Sequence, residues 1–251
     1  MKKYKLTNET IVHFGFTLYR IEALMDFSDV KTGDKGGFVQ SENNLSHKGD
    51  CWVYGNAKVY GNAKVYDNAE VYDNSEVCGD AEVCVDAKVC GNASVCGNAS
   101  VYGDAEVYDN AFVCGYAEVY DNSEVCGYAE VYDNSEVCGN AEVCGDAGVY
   151  GNAFVCGNAE VRGDADVYGN AEVRGDAKIY KNSDYIVFKN WWSSGRYFTW
   201  TRSNKMWKVG CFYGKGEELI KKAYADSEES GREYERVVRY VESILADELN
   251  K

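Results

Sequence analysis

The sequence predicts an all-β solenoid followed by a small C-terminal α+β domain. Residues 53–184 divide without insertion or deletion into 22 hexads. In each hexad, apolar and polar residues alternate as in a half-buried strand, and corner-forming residues follow. After residue 184 the hexads stop, and four of the five tryptophans occur there. We therefore predict an N-terminal cap with a first irregular coil (1–52), a hexapeptide solenoid (53–184) and an α+β domain (185–251).

The hexad has the form V-[YCR]-G/D-N/D-A/S-x, as in Val53-Tyr54-Gly55-Asn56-Ala57-Lys58. The first position is Val in all hexads except the last, which has Ile179. Period-two alternation places the first and fifth positions inward and the second and sixth outward. The third and fourth positions carry residues that tolerate positive φ and therefore mark a corner. A short unit that cannot bury its own apolar face predicts a solenoid.

The whole hexad segment, 53–184, resembles the hexapeptide-repeat left-handed parallel β-helix. The resemblance implies that three hexads make one triangular coil, so that residue i stacks on i+18, and it implies about seven coils. Tyrosine and cysteine at the second position would then form ladders on the outer faces. Such ladders are explained by β-propensity and stacking, or by a flat surface for a homo-oligomer.

Residues 1–52 are predicted to cap the first edge of the solenoid, because an open solenoid leaves an unpaired edge. IVHFGFTLYRIEAL (11–24) is rich in β-forming residues. Steps of six residues back from Ala57, which is predicted to point inward, lead to Cys51, Leu45 and Val39. This spacing predicts that the coil starts near Phe38.

The C-terminal domain is predicted to contain strands followed by two helices. YIVFKNWW is a strand candidate, and RYFTWTRSNKMWKVGCFYG reads as a hairpin turning at Ser203-Asn204. The hairpin face predicted to be core carries Phe198, Trp200, Trp207, Val209 and Cys211. The apolar faces of the two helices carry Leu219, Ile220, Ala223 and Tyr224, and then Tyr234, Val237, Val238, Val241, Ile244 and Leu245.

The net charge of −15 is concentrated in the hexads. Residues 53–184 contain seven basic and 24 acidic side chains, a balance that opposes binding to duplex nucleic acid or anionic membranes. No stretch approaches ~18 consecutive apolar residues, and the opening MKKYKLTNET lacks the apolar segment of a signal peptide. We therefore expect a soluble protein of a bacterial cytoplasm.

Nine of the eleven cysteines occupy the second hexad position, where they exchange with tyrosine. This exchange is typical of a surface residue, so we expect reduced thiols that form neither disulfides nor metal sites. The chain has no CxxC motif, and we predict no metal and no cofactor.

The resemblance also implies possible enzyme activities, because many hexapeptide β-helices are acyltransferases with a histidine base and some are zinc carbonic anhydrases with three histidines. This chain has only His13 and His47, both before the regular hexads. A non-catalytic protein is therefore favoured. A divergent acyltransferase with His47 as its base stays as an alternative.

A predicted binding surface combines aromatic and basic side chains, which can stack on rings and hold phosphates. The alternative is an aromatic core with solvated basic edges. The candidate residues are Trp191, Trp192, Arg196, Tyr197, Trp200, Arg202, Lys205 and Lys208, with Arg162 and Arg174 from the last coils. Bulky departures from the hexad suggest a second surface patch at Phe112, Tyr116 and Tyr128, although repeat drift explains them equally well.

The C-terminal residues and the segment GGFVQSENNLSHKGDCW also resemble phage and prophage proteins that join hexapeptide coils to an aromatic-rich module. This resemblance implies a role such as counter-defence. We therefore expect a non-catalytic binding protein that presents its C-terminal domain to a protein partner or a small anionic, nucleotide-like ligand. Besides the acyltransferase, the remaining alternative is an acidic rod that mimics DNA or forms filaments.

Overall fold

The structure is a computed structural model that describes residues 2–192 and 194–249. The chain divides into two compact units, residues 1–182 and residues 183–251. The first unit contains nearly all of the hexad segment and the second contains the tryptophan-rich C-terminal segment.

The hexads form a parallel β-solenoid with three sheets, as predicted. Each hexad supplies one short strand, and every strand pairs in register with the strand three hexads further along the chain, as in Val59 with Val77 and Val77 with Val95. Three hexads therefore complete one lap. The second sheet contains eight strands, so the solenoid has about eight laps where the sequence predicted seven. The additional lap begins at Phe38, close to the predicted start.

The strands contributed by the hexads are short and evenly spaced, and the first sheet also contains longer strands from residues 1–52. The first sheet contains Tyr4–His13 (β1), Phe16–Ala23 (β2), Lys35–Val39, Lys58–Val59, Glu76–Val77, Ser94–Val95, Phe112–Val113, Glu130–Val131, Gly148–Val149 and Asp166–Val167. The second contains Trp52–Val53, Glu70–Val71, Lys88–Val89, Glu106–Val107, Glu124–Val125, Glu142–Val143, Glu160–Val161 and Lys178–Ile179. The third contains Lys64–Val65, Glu82–Val83, Ser100–Val101, Glu118–Val119, Glu136–Gly139, Phe154–Gly157 and Glu172–Val173.

The interior of the solenoid is lined by the first and fifth hexad positions. Valines stack on valines there, and both positions are almost fully buried. Each buried valine contributes roughly 1.5–3 kcal/mol. Where serine replaces alanine, its hydroxyl finds backbone acceptors: Ser75 Oγ donates to Tyr72 O at 2.7 Å and to Val89 O at 3.1 Å. The repeat can therefore exchange Ala for Ser without leaving a buried hydroxyl unpaired.

The first lap departs from the predicted phase. Val39 pairs with Val59 and Leu45 bridges to Val65, so both occupy the valine position rather than the predicted alanine position. Val53 follows Leu45 by eight positions, where the regular repeat has six. These two additional residues lie before Cys51, which therefore occupies the alanine position of the repeat and is buried as predicted.

The N-terminal edge of the solenoid is closed by polar side chains from residues 1–52. The Lys3 ammonium is buried and donates to Cys51 O at 2.7 Å and Gly49 O at 3.1 Å. The Tyr4 hydroxyl donates to Leu45 O at 2.8 Å. These donors satisfy carbonyl groups of the first lap that have no further lap to pair with. The antiparallel β1–β2 hairpin extends the first sheet beside them.

The C-terminal unit contains a four-stranded antiparallel sheet and two helices. The strands are Tyr185–Lys189, Tyr197–Thr201, Met206–Val209 and Phe212–Gly214, and a 3₁₀ turn at Asn182–Asp184 precedes them. Thr201 pairs with Met206, which confirms the predicted hairpin turn. The prediction that Cys211 is core was wrong, because Val209 pairs with Phe212 and leaves Cys211 exposed in a tight turn.

The helices are α1 (Gly216–Asp226) and α2 (Glu228–Leu249). Their apolar faces pack on the sheet through Leu219 and Ile220 of α1 and Val238 and Val241 of α2. Tyr224, predicted on the apolar face, is instead 37% exposed and donates its hydroxyl to Glu235. The core of this unit consists of Phe198, Trp200, Trp207, Val209, Leu219, Ile220, Val238 and Val241.

Candidate functional site

A cavity of about 210 Å³ lies in the C-terminal unit between the sheet and the two helices. Its apolar wall includes Trp200 and Trp207, which pair across the hairpin and are 3% and 2% exposed. The cavity is lined by Trp200, Lys205, Trp207, Lys215, Gly216, Glu217, Val238, Val241, Glu242 and Leu245. We call it the indole pocket.

The chain segments that form the indole pocket are fixed by turn geometry. Lys205 ends the hairpin turn with φ of 55°, in the left-handed region. Lys215 precedes α1, and its ammonium donates to Asn204 O at 2.6 Å. Gly216 begins α1, and a Cβ there would lie 2.7 Å from Val238 Cγ1. A glycine at this position therefore lets the start of α1 pack closely against Val238.

The indole pocket is lined by two lysines, Lys205 and Lys215, and two glutamates. Its two carboxylates, Glu217 and Glu242, are bound by Arg239 at 2.5 and 2.8 Å. The hydrogen bond from Arg239 holds the pKa of Glu217 below its ordinary value. Lys205 is exposed, and within residues 2–192 and 194–249 it has no acidic partner. The N-terminus of α1 adds a partial positive charge. The pocket thus joins an apolar wall to a charged rim, on which Lys205 is the cation without an acidic partner among the described residues.

The structure places two of the predicted site residues, Trp200 and Lys205, in the indole pocket. Lys208 lies on the opposite side of the sheet from Trp207 because successive residues of a strand alternate, and its ammonium donates to Gly210 O. Arg202 donates to Ser183 O at 3.3 Å. The Trp200 side chain is almost fully buried in the core, as the predicted hairpin face required, so its replacement by alanine would disturb the fold as well as the pocket.

Four other candidates lie before or at the start of the same hairpin. Trp191 is 82% exposed, whereas Trp192 packs on Phe198 and Tyr234 with ring centroids 6.0 and 6.1 Å away. The Arg196 side chain covers the backbone at Gly210. The Tyr197 ring lies under the Lys189 ammonium at 5.7 Å.

Arg162 and Arg174 belong to the solenoid unit and are engaged there. Arg162 forms ion pairs with Glu142 and Glu160. Arg174 pairs with Glu172 and stacks on the Phe154 ring, with its guanidinium carbon 4.2 Å from the centroid. These contacts account for both side chains without a ligand.

The residues predicted as a surface patch are exposed. Phe112 lies on a strand of the first sheet and is 38% exposed. Tyr116 and Tyr128 are 65% and 66% exposed. Both stand at the fourth hexad position, and Tyr128 follows two hexads after Tyr116. Because a full lap takes three hexads, the two tyrosines occupy different corners of the solenoid.

A second cavity, of about 440 Å³, lies beside the first lap and is lined in part by Glu42, His47, Lys64 and Glu82. His47 Nδ1 accepts the backbone N–H of Lys3 at 3.3 Å, which assigns the ring proton to Nε2. That atom lies 3.6 Å from the Glu42 carboxylate, with which a protonated ring forms an ion pair. A histidine in this tautomer can donate a hydrogen bond but has no free lone pair for a general base.

The cysteines contradict one expectation. Cys126 and Cys144 form a disulfide across neighbouring laps, with Cα atoms 4.6 Å apart. The outward ladder brings equivalent residues within the distance that a disulfide requires, which the exchange with tyrosine did not indicate. Among the described residues, no cluster of three or more His, Cys, Asp or Glu side chains is arranged to hold a metal ion.

No model of a known protein family matches the chain, and no curated protein matches it significantly. Within the described ranges, no helix combines the length and the apolar character that crossing a bilayer requires.

Sequence reasoning missed the pocket residues contributed by the helices and the segment before them, among them Lys215, Gly216 and Val238. The only available signal was Gly-Lys-Gly at 214–216, at the start of α1. It does not match a phosphate-binding loop, but it does place a glycine at the first helical residue.

Proposed function

We propose that this chain is a non-catalytic binding protein whose C-terminal unit binds a small anionic ligand in the indole pocket. The observation that carries the proposal is the combination, at one cavity, of buried indoles with Lys205, which has no acidic partner within the described part of the chain. An apolar or aromatic group of the ligand packs against Trp200 and Trp207, and its anionic group contacts Lys205 and Lys215.

The size of the indole pocket limits the ligand. Pockets that enclose a drug-sized molecule measure about 300–1,000 Å³, and this one measures about 210 Å³. It therefore accommodates one ring or a short apolar chain, with the rest of the ligand outside. A nucleotide-like molecule with its phosphate at the lysine rim fits this description. A second ligand has the same chemistry: an acidic segment of a protein partner that inserts one apolar side chain into the indole pocket.

The solenoid unit supports this proposal through its charge. An excess of 17 carboxylates in residues 53–184 opposes long nucleic acids, which favours a small anion over a nucleic acid as the ligand. The likeness to phage and prophage hexapeptide proteins suggests the setting that we propose, which is counter-defence in a bacterial cytoplasm by sequestration of a ligand.

Native mass spectrometry of protein purified from bacterial cells tests the proposal, followed by titration with adenosine monophosphate as a defined anion. We expect a retained adduct or saturable binding that Lys205→Gln weakens about tenfold or more. Lys208→Gln, on the opposite face of the same hairpin, is the matched control and should bind as the unmodified protein does. Binding lost in Lys208→Gln and kept in Lys205→Gln would move the site to the other face. Binding kept in both variants would reject the pocket.

A further inference from the structure

The outer face of the first sheet carries an uninterrupted run of three cysteines. Cys78, Cys96 and Cys114 occupy the second hexad position on three successive laps, with Tyr60 before them and Tyr132 after them. All three side chains are partly exposed. This run has no role in the indole pocket, and nothing in the fold requires sulfur at a position that tyrosine fills elsewhere.

The geometry of Cys78 and Cys96 matches that of the disulfide between Cys126 and Cys144. The backbone N–H of Cys126 donates to Val143 O at 2.9 Å, and that of Cys78 donates to Val95 O at 2.9 Å. The preceding valines pair in register in both cases. Since Cα atoms one lap apart lie 4.6 Å apart in the disulfide-bonded pair, a disulfide between Cys78 and Cys96 needs no displacement of the backbone.

The environment of Cys78 favours its thiolate. A hydrogen bond from the Cys96 thiol lowers the pKa of Cys78 to about 7, and the Tyr60 hydroxyl contributes in the same direction against burial. In contrast, burial raises the pKa of Cys84, Cys90 and Cys114. A thiolate is the nucleophile of thiol–disulfide exchange, so Cys78 is the reactive member of the run.

We propose that Cys78 and Cys96 are a thiol–disulfide exchange site that reduces low-molecular-weight disulfides of the glutathione class. The Cys78 thiolate attacks one sulfur of glutathione disulfide, forming a mixed disulfide and releasing one glutathione thiolate. Cys96, after losing its proton to water, attacks Cys78 Sγ and releases the second glutathione. Two protein thiols are oxidised to one disulfide while one glutathione disulfide is reduced to two thiols.

The chain contains a matched control for this chemistry. Cys90 occupies the same hexad position, but its neighbours one lap away are Tyr72 and Tyr108. It therefore has a similar local backbone and no sulfur partner on the adjacent laps. Cys90 can form a mixed disulfide but cannot resolve it within the chain.

The experiment uses fully reduced protein, glutathione disulfide at pH 7 and peptide mapping by mass spectrometry. In the unmodified protein we expect a Cys78–Cys96 disulfide. In Cys96→Ser we expect a persistent glutathione adduct on Cys78, because Cys114 lies two laps away and cannot resolve it. The adduct should form about fivefold faster than the adduct on Cys90, since the serine hydroxyl at position 96 and the Tyr60 hydroxyl both still donate to Cys78, and the larger thiolate fraction outweighs the lower nucleophilicity. Cleavage at glutamate gives the peptide 77–82, in which Cys78 is the one cysteine.

Equal rates at Cys78 and Cys90 would overturn the assignment of the nucleophile. A Cys126–Cys144 disulfide that reforms while Cys78 and Cys96 stay reduced would overturn the site, as would the absence of any adduct on Cys78 in Cys96→Ser. Serine at an outward hexad position removes no core contact, so circular dichroism of each variant should match that of the unmodified protein.

Discussion

The carboxylate of Asp121 accepts a hydrogen bond from the backbone N–H of Gly139 at 3.1 Å. The two residues lie at the same corner of the solenoid on successive laps. Three other corner aspartates make the same contact with the next lap. Aspartate at the third hexad position thus has a structural role: it tolerates the left-handed backbone and binds the next lap.

Replacement of Asp121 by alanine should lower the free energy of unfolding by about 1–2 kcal/mol. The variant loses the hydrogen bond to Gly139 and forces alanine to adopt the φ of 61° found at this position. Urea denaturation measures the change. Asp121→Asn keeps both the acceptor and the tolerance of positive φ, so it should lose less than half as much. An alanine variant as stable as the unmodified protein would contradict this role.

Replacement of Val85 by glycine should raise the stability by about 1 kcal/mol. Val85 is the one valine at a third hexad position, where it adopts φ of 65°, a conformation that is strained for a β-branched side chain. It is 40% exposed, so little apolar contact is lost. The thermal midpoint measures the gain. The control is Gly79→Ala at an equivalent corner, which should destabilise because its Cβ would lie 2.8 Å from Gly97 O.

Replacement of Lys3 by methionine should cost about 2–4 kcal/mol. The ammonium of Lys3 donates hydrogen bonds to two carbonyl groups at the closed edge of the solenoid. Methionine cannot donate these bonds, so the two carbonyl groups would be left without their donor. Lys2→Met is the neighbouring control: Lys2 is exposed and paired with Glu42, so its replacement should cost less than about 1 kcal/mol. Similar losses in the two variants would show that the buried lysine is not a cap.

The stability of the first unit should depend on the ionisation of Glu76. Partial burial raises the pKa of this carboxyl, but hydrogen bonds from His13 and Lys58 outweigh burial and lower it overall. Because the pKa in the folded state lies below that in the unfolded state, the stabilisation is complete above the ordinary pKa of about 4.3 and is lost as the pH falls through the lowered value.

Urea midpoints between pH 7 and pH 3 should therefore distinguish the unmodified protein from Glu76→Gln. The variant should be less stable by about 1–2 kcal/mol at pH 7, and the difference should shrink below pH 4.5. Glu118→Gln, on a neighbouring sheet and bonded to the Tyr102 hydroxyl rather than to a histidine, should show a smaller difference. A difference in stability between the unmodified protein and Glu76→Gln that stays constant down to pH 3 would contradict the ionic role of Glu76.

Much of the fold follows from local sequence patterns. The hexad alternation predicted a solenoid, because each hexad contains both a strand and a corner, whereas the lap of three hexads was implied by the resemblance to hexapeptide β-helices. The hairpin turn near Ser203 was predicted for the same reason. The positions of Val39 and Leu45 in the repeat were predicted wrongly, because the two additional residues in the first lap are visible only once the strands are paired.

The amino-acid sequence alone determined the solenoid, its corners and the helical faces, since these depend on residues close in the chain and on a repeat that reinforces itself at every lap. Only the tertiary structure decided which side chains meet across distant segments. It placed Lys205 and Leu245 at one cavity and closed the first lap with Lys3. Such contacts depend on packing between elements, and composition does not encode them.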